Sequence, residues 1–308
     1  MRYNISKDMK KYSVSIVIPN WNGVYLMEKH LQGVLDAAPD AQIIIADDMS
    51  GDGSVEYIRK NFPHVIVVKG MKREGFAANV NQGVNKATGD VVILLNTDVE
   101  PEKGFLQPLL THFDDPQVFA VGCLEKSWEN GKTILRGRGV AHWYRGFYVH
   151  SRGEVDKTDT AWVSGGSGAF RRSMWNTLGG MDTLYNPFYW EDIDISYRAR
   201  KAGWKILFEP KSVVGHYHEE GKIKQEYTAT DVKRISYRNQ FIFIWKNLTD
   251  PSILIAHMFW TPIRLLQTVL HGNILMLEGY LLALLRYPFI CMNKKSQLKY
   301  WKISDRNL

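Results

Sequence analysis

Short apolar runs alternate with helical periods through the first hundred residues. Residues 15–18, Ser-Ile-Val-Ile, form a short, mainly apolar run that ends at Pro19, which reads as a buried strand entering a loop. Leu26, Leu31, Val34 and Leu35 then fall at helical spacing within residues 25–37. The same logic predicts strands over 42–46, 65–68 and 91–95 and helices over 54–62 and 76–87. A β-α-β-α-β-α-β order of this kind calls for a mostly parallel sheet with helices on both faces and ligands beyond the carboxyl ends of the strands. From 123 to 160 glycines interleave with aromatic residues and no long helical period appears, so antiparallel strands and loops are expected. A helix is expected over 193–202, short strands over 204–209 and 212–214, and helices beyond Tyr227.

Composition narrows the class. The chain has 308 residues, 45% of them apolar and 38 aromatic, enough for a large core. Its charge is +7, from 39 basic and 32 acidic residues. Between Pro251 and Leu308 seven Lys or Arg face only Glu278 and Asp305, beside a long apolar stretch. That combination suits an anionic membrane surface or a phosphate-bearing substrate. No compact basic motif of a nucleic-acid module is present. Cys123 and Cys291 sit in apolar sequence and read as reduced core or interface residues. The segment from Met1 to Tyr12 is charged and the next apolar run is too short for a signal peptide, so a cytoplasmic chain is expected.

Four polar clusters follow strands or open helices. Asp47 and Asp48, with Asp52, close the second strand; an Asx-rich turn explains them, and so does a carboxylate that accepts a hydrogen bond from a nucleobase. Asn96-Thr97-Asp98 follows five apolar residues, and an acid at the mouth of a buried strand is costly unless paired. A hard divalent cation, Mg²⁺ or Mn²⁺, would resolve that cost, as would a helix cap before Pro101. Glu191, Asp192 and Asp194 open a helix after Pro187-Phe188-Tyr189-Trp190. Acids favour helix starts anyway, yet one beside three aromatics can have a raised pKa and act as a base. The fourth cluster is His216-Tyr217-His218-Glu219-Glu220, either a strand edge or part of a metal site. No GxGxxG, GxxxxGK[ST] or GxSxG motif occurs; Gly165-Gly166-Ser167-Gly168 is a turn that lets backbone approach a sugar or diphosphate.

In order and spacing these residues resemble the inverting family 2 glycosyltransferases with the GT-A fold, particularly rhamnosyltransferase-like members. The resemblance is carried by residues 15–23, 47–54, 74–83, 96–98, 165–168, 179–182 and 191–194 and by His216. It implies a mixed, mostly parallel sheet flanked by helices, with a catalytic domain over 1–240 divided into a nucleotide-binding half, 13–98, and an acceptor-side half, 99–220. Residues 241–308 then form a helical, basic, membrane-associating extension. By the same resemblance Pro19, Asn20, Asn22, Asp47, Asp48, Gly75, Phe76, Asn79, Asn96, Thr97 and Asp98 bind the nucleotide-sugar donor, Asp47 contacting the base. Asp98 and His216 hold Mg²⁺ or Mn²⁺. Asp192 is the base, with Glu191 and Asp194 setting loop position and field. Gly166, Ser167 and Trp190 meet a glycan or lipid-linked glycan acceptor. Trp128, Trp143, Tyr144, Tyr148 and Trp162 are further stacking candidates. Asn96 stands where some relatives have Asp, which leaves Asp98 as the main protein ligand.

The expected product is a sugar transferred with inversion from a dTDP-rhamnose or UDP-hexose donor in bacterial surface polysaccharide synthesis. The competing reading is a non-catalytic sugar- or nucleotide-binding scaffold. A homodimer is compatible with either. From Ile253 to Arg286 polar residues recur at intervals of three, four or seven, giving a narrow stripe beside a wide apolar face, with breaks expected at Pro262 and Gly272. An interfacial position on the inner face of the membrane, without crossing it, fits that pattern.

Overall fold

The computed structural model describes residues 12–129, 131–218 and 220–308. The charged segment 1–11 and Glu219 lie outside them. The expected alternation is present: β1 (Val14–Asn20), α1 (Val24–Ala37), β2 (Gln42–Asp47), α2 (Ser54–Asn61), β3 (Ile66–Lys69), α3 (Phe76–Lys86) and β4 (Val91–Leu95). These strands pair in parallel in the order β3-β2-β1-β4. Alternating side chains fill the two faces: Ile16, Ile18, Ile93 and Leu95 pack beneath α1, and Val17, Val92 and Leu94 beneath α3. All five residues of β4 are buried, each worth about 1.5–3 kcal/mol. The strand that ends at Asn96-Thr97-Asp98 is therefore a rigid base for those groups.

Beyond β4 come β5 (Val99–Pro101), α4 (Leu106–His112), β6 (Val118–Glu129), β7 (Lys132–Arg136), β8 (Gly139–Tyr144), β9 (Phe147–Arg152) and β10 (Ser167–Arg171). The rest of the chain is α5 (Arg172–Leu178), α6 (Glu191–Lys201), β11 (Lys205–His216), α7 (Lys222–Glu226), α8 (Ala229–Asn247), α9 (Pro251–Leu270), α10 (Leu275–Leu284) and α11 (Tyr287–Gln297). The sheet continues β4-β10-β6-β11-β5, with β10 antiparallel to both neighbours and β11 parallel to β6. It is the mixed, helix-flanked sheet expected, with a helical C-terminal region. Strands 204–209 and 212–214 are one strand, β11, interrupted by a register shift between Glu209 and Val213. Residues 99–101 are a short strand, not the helix start that Pro101 suggested. Both cysteines are free, Cys123 buried and Cys291 exposed.

A boundary at residue 240 does not describe the C-terminal region. It falls inside α8, whose Phe241, Ile242, Phe243 and Ile244 are buried with Phe147, Tyr148, Trp190 and Tyr197 of the preceding chain. Met276, Ala283 and Ile290 complete the same core. Pro262 lies within an unbroken α9, and the break comes at Gly272, whose φ is +72°. The polar stripe of α9 faces inward. His257 accepts from Trp245 Nε1 (3.0 Å) through Nε2 and donates from Nδ1 to the Gly146 carbonyl (2.9 Å), so burial leaves it a neutral ring with its pKa held down to about 4.

Behind α6, the fully buried carboxylate of Asp194 joins this core to the sheet. It accepts from Tyr185 Oη (2.7 Å), Arg198 Nε (2.7 Å), Asn247 Nδ2 (2.7 Å) and Lys246 Nζ (2.9 Å to each oxygen). Lys246 is also 2.6 Å from Asp182, which gives two acids and two bases in one dry cluster. Burial raises the pKa of Asp194, but Arg198 and Lys246 outweigh it and hold the group well below the ordinary range. Asp194→Ala should leave Arg198 without a carboxylate and Lys246 with Asp182 alone, and lower unfolding free energy by about 3–5 kcal/mol, read from urea melts. A loss below about 1 kcal/mol would show the cluster to be dispensable.

Candidate active site

A cleft of about 380 Å³ opens at the carboxyl ends of β1, β2 and β4. Pro19 and Asn20 end β1 and Trp21 follows it, Asp48 follows β2, and Asn96, Thr97 and Asp98 follow β4. Gly75, Phe76 and Asn79 come from the start of α3; Glu191 and Asp192 from the start of α6; His216 and His218 from the end of β11. Gly165 and Gly166 line the floor before β10. The Asn96 amide donates to the Gly166 carbonyl (3.0 Å), and a side chain at Gly166 would strike the Asn96 amide group.

Backbone hydrogen bonds position the donor side of the cleft. Asp48 accepts from the Glu74 and Gly75 amides at 2.8 Å each, drawing the α3 loop against β2. Gly75 is at φ +95° with its α-carbon facing Pro187, a position where a side chain would be both strained and obstructed. Asn79 donates to the Ala46 carbonyl (2.8 Å), while its Oδ1 and that of Asn20 are buried without partners. Asp47 is a correction to the sequence reading. It is fully buried, its oxygens taken by Asn20 Nδ2 (2.8 Å) and the Ser50 amide (2.9 Å), so Asp48 and not Asp47 borders the cleft. Asn22 is likewise turned away, accepting from the Gly51 amide (2.9 Å) to brace that loop.

The residues before α6 are held by α8. Asn239 Nδ2 donates to the carbonyls of Tyr185, Phe188 and Tyr189 at 2.8–2.9 Å, and Arg238 to that of Asn186 (2.7 Å). Tyr189 and Trp190 both adopt positive φ, +71° and +79°. That turn sends Tyr189 to the cleft and Trp190 inward, against Phe243 and His150, where it is only 4% exposed. Trp190 is therefore a core residue and not an acceptor contact. Ser167 is also corrected: it is buried, donating to Glu125 behind the floor. Asp194 lies outside the cleft in the cluster described above. Among the other aromatics, Trp143, Tyr148 and Trp162 pack in the C-terminal core, and Trp128 stacks on Tyr217. Several cleft residues had no place in the sequence reading of the site: Arg73 lies 3.4 Å over the Trp21 ring and donates to Tyr227 Oη (2.9 Å), closing one lip. Only contact across 154 residues brings them together, and no local pattern signals it.

The acids differ by environment. Burial raises the pKa of Glu191, and the Asp192 charge beside it adds to that; Glu191 Oε2 has no partner. Burial likewise raises Asp192, against the pull of the Ile193 and Gly165 amides. In the same cleft Asp98 Oδ1 is 3.5 Å from His216 Nε2. Ligands about 2.1 Å from one small cation stand roughly 3.0–3.4 Å apart, so this carboxylate and imidazole fit a divalent metal. Burial lowers the His216 pKa, but Glu125 and Asp98 push it up to about 10.

Residues 15–179 match the family model described as glycosyl transferase family 2. Among curated proteins, the chain is 27% identical over 211 residues to the pre-mycofactocin glycosyltransferase of Mycobacterium tuberculosis, covering 67% of this chain and 43% of that one. It is 25% identical over 232 residues to that organism's N-acetylglucosaminyl-diphospho-decaprenol L-rhamnosyltransferase, covering 66% and 74%. The chain thus spans less than half the length of some curated relatives. Similar folds include GalNAc-T7 with UDP, GalNAc and Mn²⁺ (TM-score 0.62, 21% identity, covering 78% of this chain and 48% of that one). The mannosyltransferase PcManGT of Pyrobaculum calidifontis, with GDP-Man and Mn²⁺, is another (0.56, 17%, 94% and 75%).

Carboxyl ¹³C shifts followed against pH should show Asp192 and Glu191 protonating above the ordinary values of about 3.9 and 4.3, while Asp194 stays ionised below them. Ordinary titration of Asp192 would show that its burial is relieved by solvent.

Proposed function

The chain belongs to glycosyl transferase family 2, and we propose that it moves a hexose or deoxyhexose from a nucleotide-diphosphate donor onto an acceptor hydroxyl, with inversion. The observation that carries this reading is the meeting of two chemistries in one cleft: Asp98 with His216, and the buried acid pair Glu191-Asp192. A pure sugar-binding module has no need of a desolvated acid pair in the same cleft as a cation site. The L-rhamnosyltransferase among the relatives supports a deoxyhexose, and the neighbours holding UDP or GDP-Man support a nucleotide-bound sugar.

Asp48, Asn20, Asn79 and the Gly75 amide region receive the nucleoside end, and Gly166 lets the sugar-diphosphate approach the floor. Asp98 and His216 hold the Mn²⁺ or Mg²⁺, which when bound neutralises charge on the departing diphosphate. Asp192 accepts the acceptor hydroxyl proton as that oxygen forms its bond to the anomeric carbon and the bond to the diphosphate oxygen breaks. A single base, with no side-chain nucleophile assigned, gives inversion. Glu191, whose proton is held by burial and by the Asp192 charge, leaves Asp192 as the anion of the pair. Phe188 and Tyr189, in place of Trp190, offer the acceptor an aromatic wall.

Membrane attachment is part of the same reading. α9 has 20 residues with a mean hydropathy of 1.4, long and apolar enough to cross a bilayer. Its polar stripe is occupied by the protein, and Ile255, Met258, Phe259, Leu266 and Leu270 project outward, each at least 60% exposed. Leu285, Phe289 and Met292 in the following segment are also exposed, and Lys295, Lys299 and Lys302 follow them in sequence. An apolar face followed in sequence by lysines suits an anionic bilayer surface, with attachment in the interface and a lipid-linked glycan as acceptor. The donor, acceptor and inner-face location belong to this proposal.

Titrating UDP and dTDP, with and without Mn²⁺, tests the enzyme reading. Binding should strengthen with Mn²⁺ in the wild type and lose that coupling in Asp98→Ala. Asp192→Asn should bind nucleotide normally while turnover falls about 10²–10⁴-fold. Binding of neither nucleotide would favour the scaffold. Flotation with phosphatidylglycerol-containing liposomes tests attachment. Ile255→Glu/Phe259→Glu should stay in the soluble fraction and the wild type should float, with part of it released by high salt; equal flotation of both would refute the patch.

A further inference from the structure

Glu125 takes no part in the reaction just described. It sits near the end of β6, 5% exposed, behind the cleft wall. An ionised carboxylate removed from water requires donors. Ser167 supplies one at Oε1. Two imidazoles face Oε2: His216 Nδ1 at 3.1 Å and His218 Nε2 at 3.7 Å. The other nitrogen of His216 is the one that faces Asp98. The ring of His216 is therefore strung between a carboxylate behind the wall and a carboxylate on the cleft.

A neutral imidazole carries its proton on one nitrogen and its lone pair on the other, and the partner of the first decides which is which. His216 Nδ1 is close to Glu125 yet out of line for a hydrogen bond, and it is buried with no other partner. At 3.1 Å, rotation of the ring in its own plane would bring that N–H into line with Oε2. His218 stacks on His216 with centroids 3.6 Å apart, which restricts the ring to its own plane.

We propose that Glu125 is the positioning residue of the cation site: by holding the proton of His216 on Nδ1, it presents Nε2, beside Asp98, to a divalent cation. The inference rests on the metal-dependent reading above. Ser167 has the supporting role of fixing Glu125, which explains a buried hydroxyl in the glycine-rich turn. One ligand atom each from Glu125, His216 and His218 also lies within 4.8 Å of the others, so these three could enclose an ion themselves. Their placement argues against it. Asp98, His216 and His218 border the cleft where a diphosphate would lie, and Glu125 does not.

The full chain, with UDP present, is titrated with Mn²⁺ while free Mn²⁺ is read by EPR. Carboxylates behind a ligating histidine are typically worth about 10–100-fold in metal affinity. Glu125→Ala should approach the upper figure and Glu125→Gln, whose amide oxygen still accepts from Nδ1, the lower. Ser167→Ala, a smaller change to the core, should weaken Mn²⁺ binding in the same direction but less. UDP binding in chelator should be unchanged in all three. At saturating Mn²⁺, pulsed EPR should retain the His216 nitrogen coupling in Glu125→Gln and lose it in His216→Ala. Wild-type Mn²⁺ affinity in folded Glu125→Gln and Glu125→Ala would overturn the inference alone. So would a first coordination shell that changes in Glu125→Gln, since Glu125 would then be a ligand. Absence of Mn²⁺ binding by the wild type would remove the metal reading and this inference together.

Discussion

A single buried charge organises the catalytic half of the molecule. Asp194 has no exposed surface, and its ionised form survives there only because Tyr185, Arg198, Lys246 and Asn247 converge on it. Those donors come from α6, from α8 and from the turn before α6. Arg198 continues to the carbonyls of Leu178 and Gly180 (2.8 and 2.7 Å), and Lys246 to Asp182. Three separate segments are thereby fixed relative to the first turn of α6. An unpaired charge at this depth would be far more costly than any alternative packing could recover, so the arrangement is close to all-or-none. Such a cluster is well suited to hold neighbouring groups in an unfavourable state.

Those neighbours are in an unfavourable state. Tyr189 and Trp190 are consecutive non-glycine residues in the left-handed region, a conformation that costs of order 1–3 kcal/mol each. Asn239 offsets part of that cost by capping three carbonyls of the same loop. The C-terminal helices are thus part of the scaffold of the cleft, which explains why one aromatic core spans β8, β9, α6, α8, α10 and α11. It also explains the orientation of α9. His257 seats the helix on Gly146 and Trp245, with Thr261 buried one turn on, leaving its apolar side outward.

Much of the fold was legible because the first four strands are short, apolar and separated by turn residues, and each element announces itself locally. The same holds for the acids at strand ends: their position alone put Asp48, Asn96 and Asp98 at the cleft. What escaped the sequence depended on direction or distance. Asp47 and Asp48 are adjacent in a β2 terminus, where successive side chains point to opposite sides, and periodicity does not say which one faces a ligand. Trp190 adjoins the acid pair in sequence, but two left-handed residues reverse its heading. Glu125 lies where nothing local in the sequence signals a partner, and its meeting with His216 across 91 residues follows from the parallel β6–β11 pairing. The C-terminal boundary was misplaced because an apolar helix reads alike whether it covers a core or leaves one.

Three acids within four residues illustrate how completely environment overrides identity. Asp194 is surrounded by cations and amides and is held ionised. Glu191 has burial and a neighbouring negative charge, with no compensating cation, and its proton is correspondingly hard to remove. Asp192 lies between these extremes: burial raises it, while the Ile193 and Gly165 amides stabilise its anion. Helix-start preference would treat all three alike. Only Asp192 and Glu191 border the cleft, and of the two Asp192 is the more readily ionised near neutrality while remaining more basic than a solvated aspartate. That balance suits a group that must be a free anion before the acceptor arrives and a competent proton acceptor afterwards. Glu191, largely protonated, would be the wrong base but a suitable neighbour. It keeps Asp192 from an unshielded second charge, and it gains one only when Asp192 gives its own up.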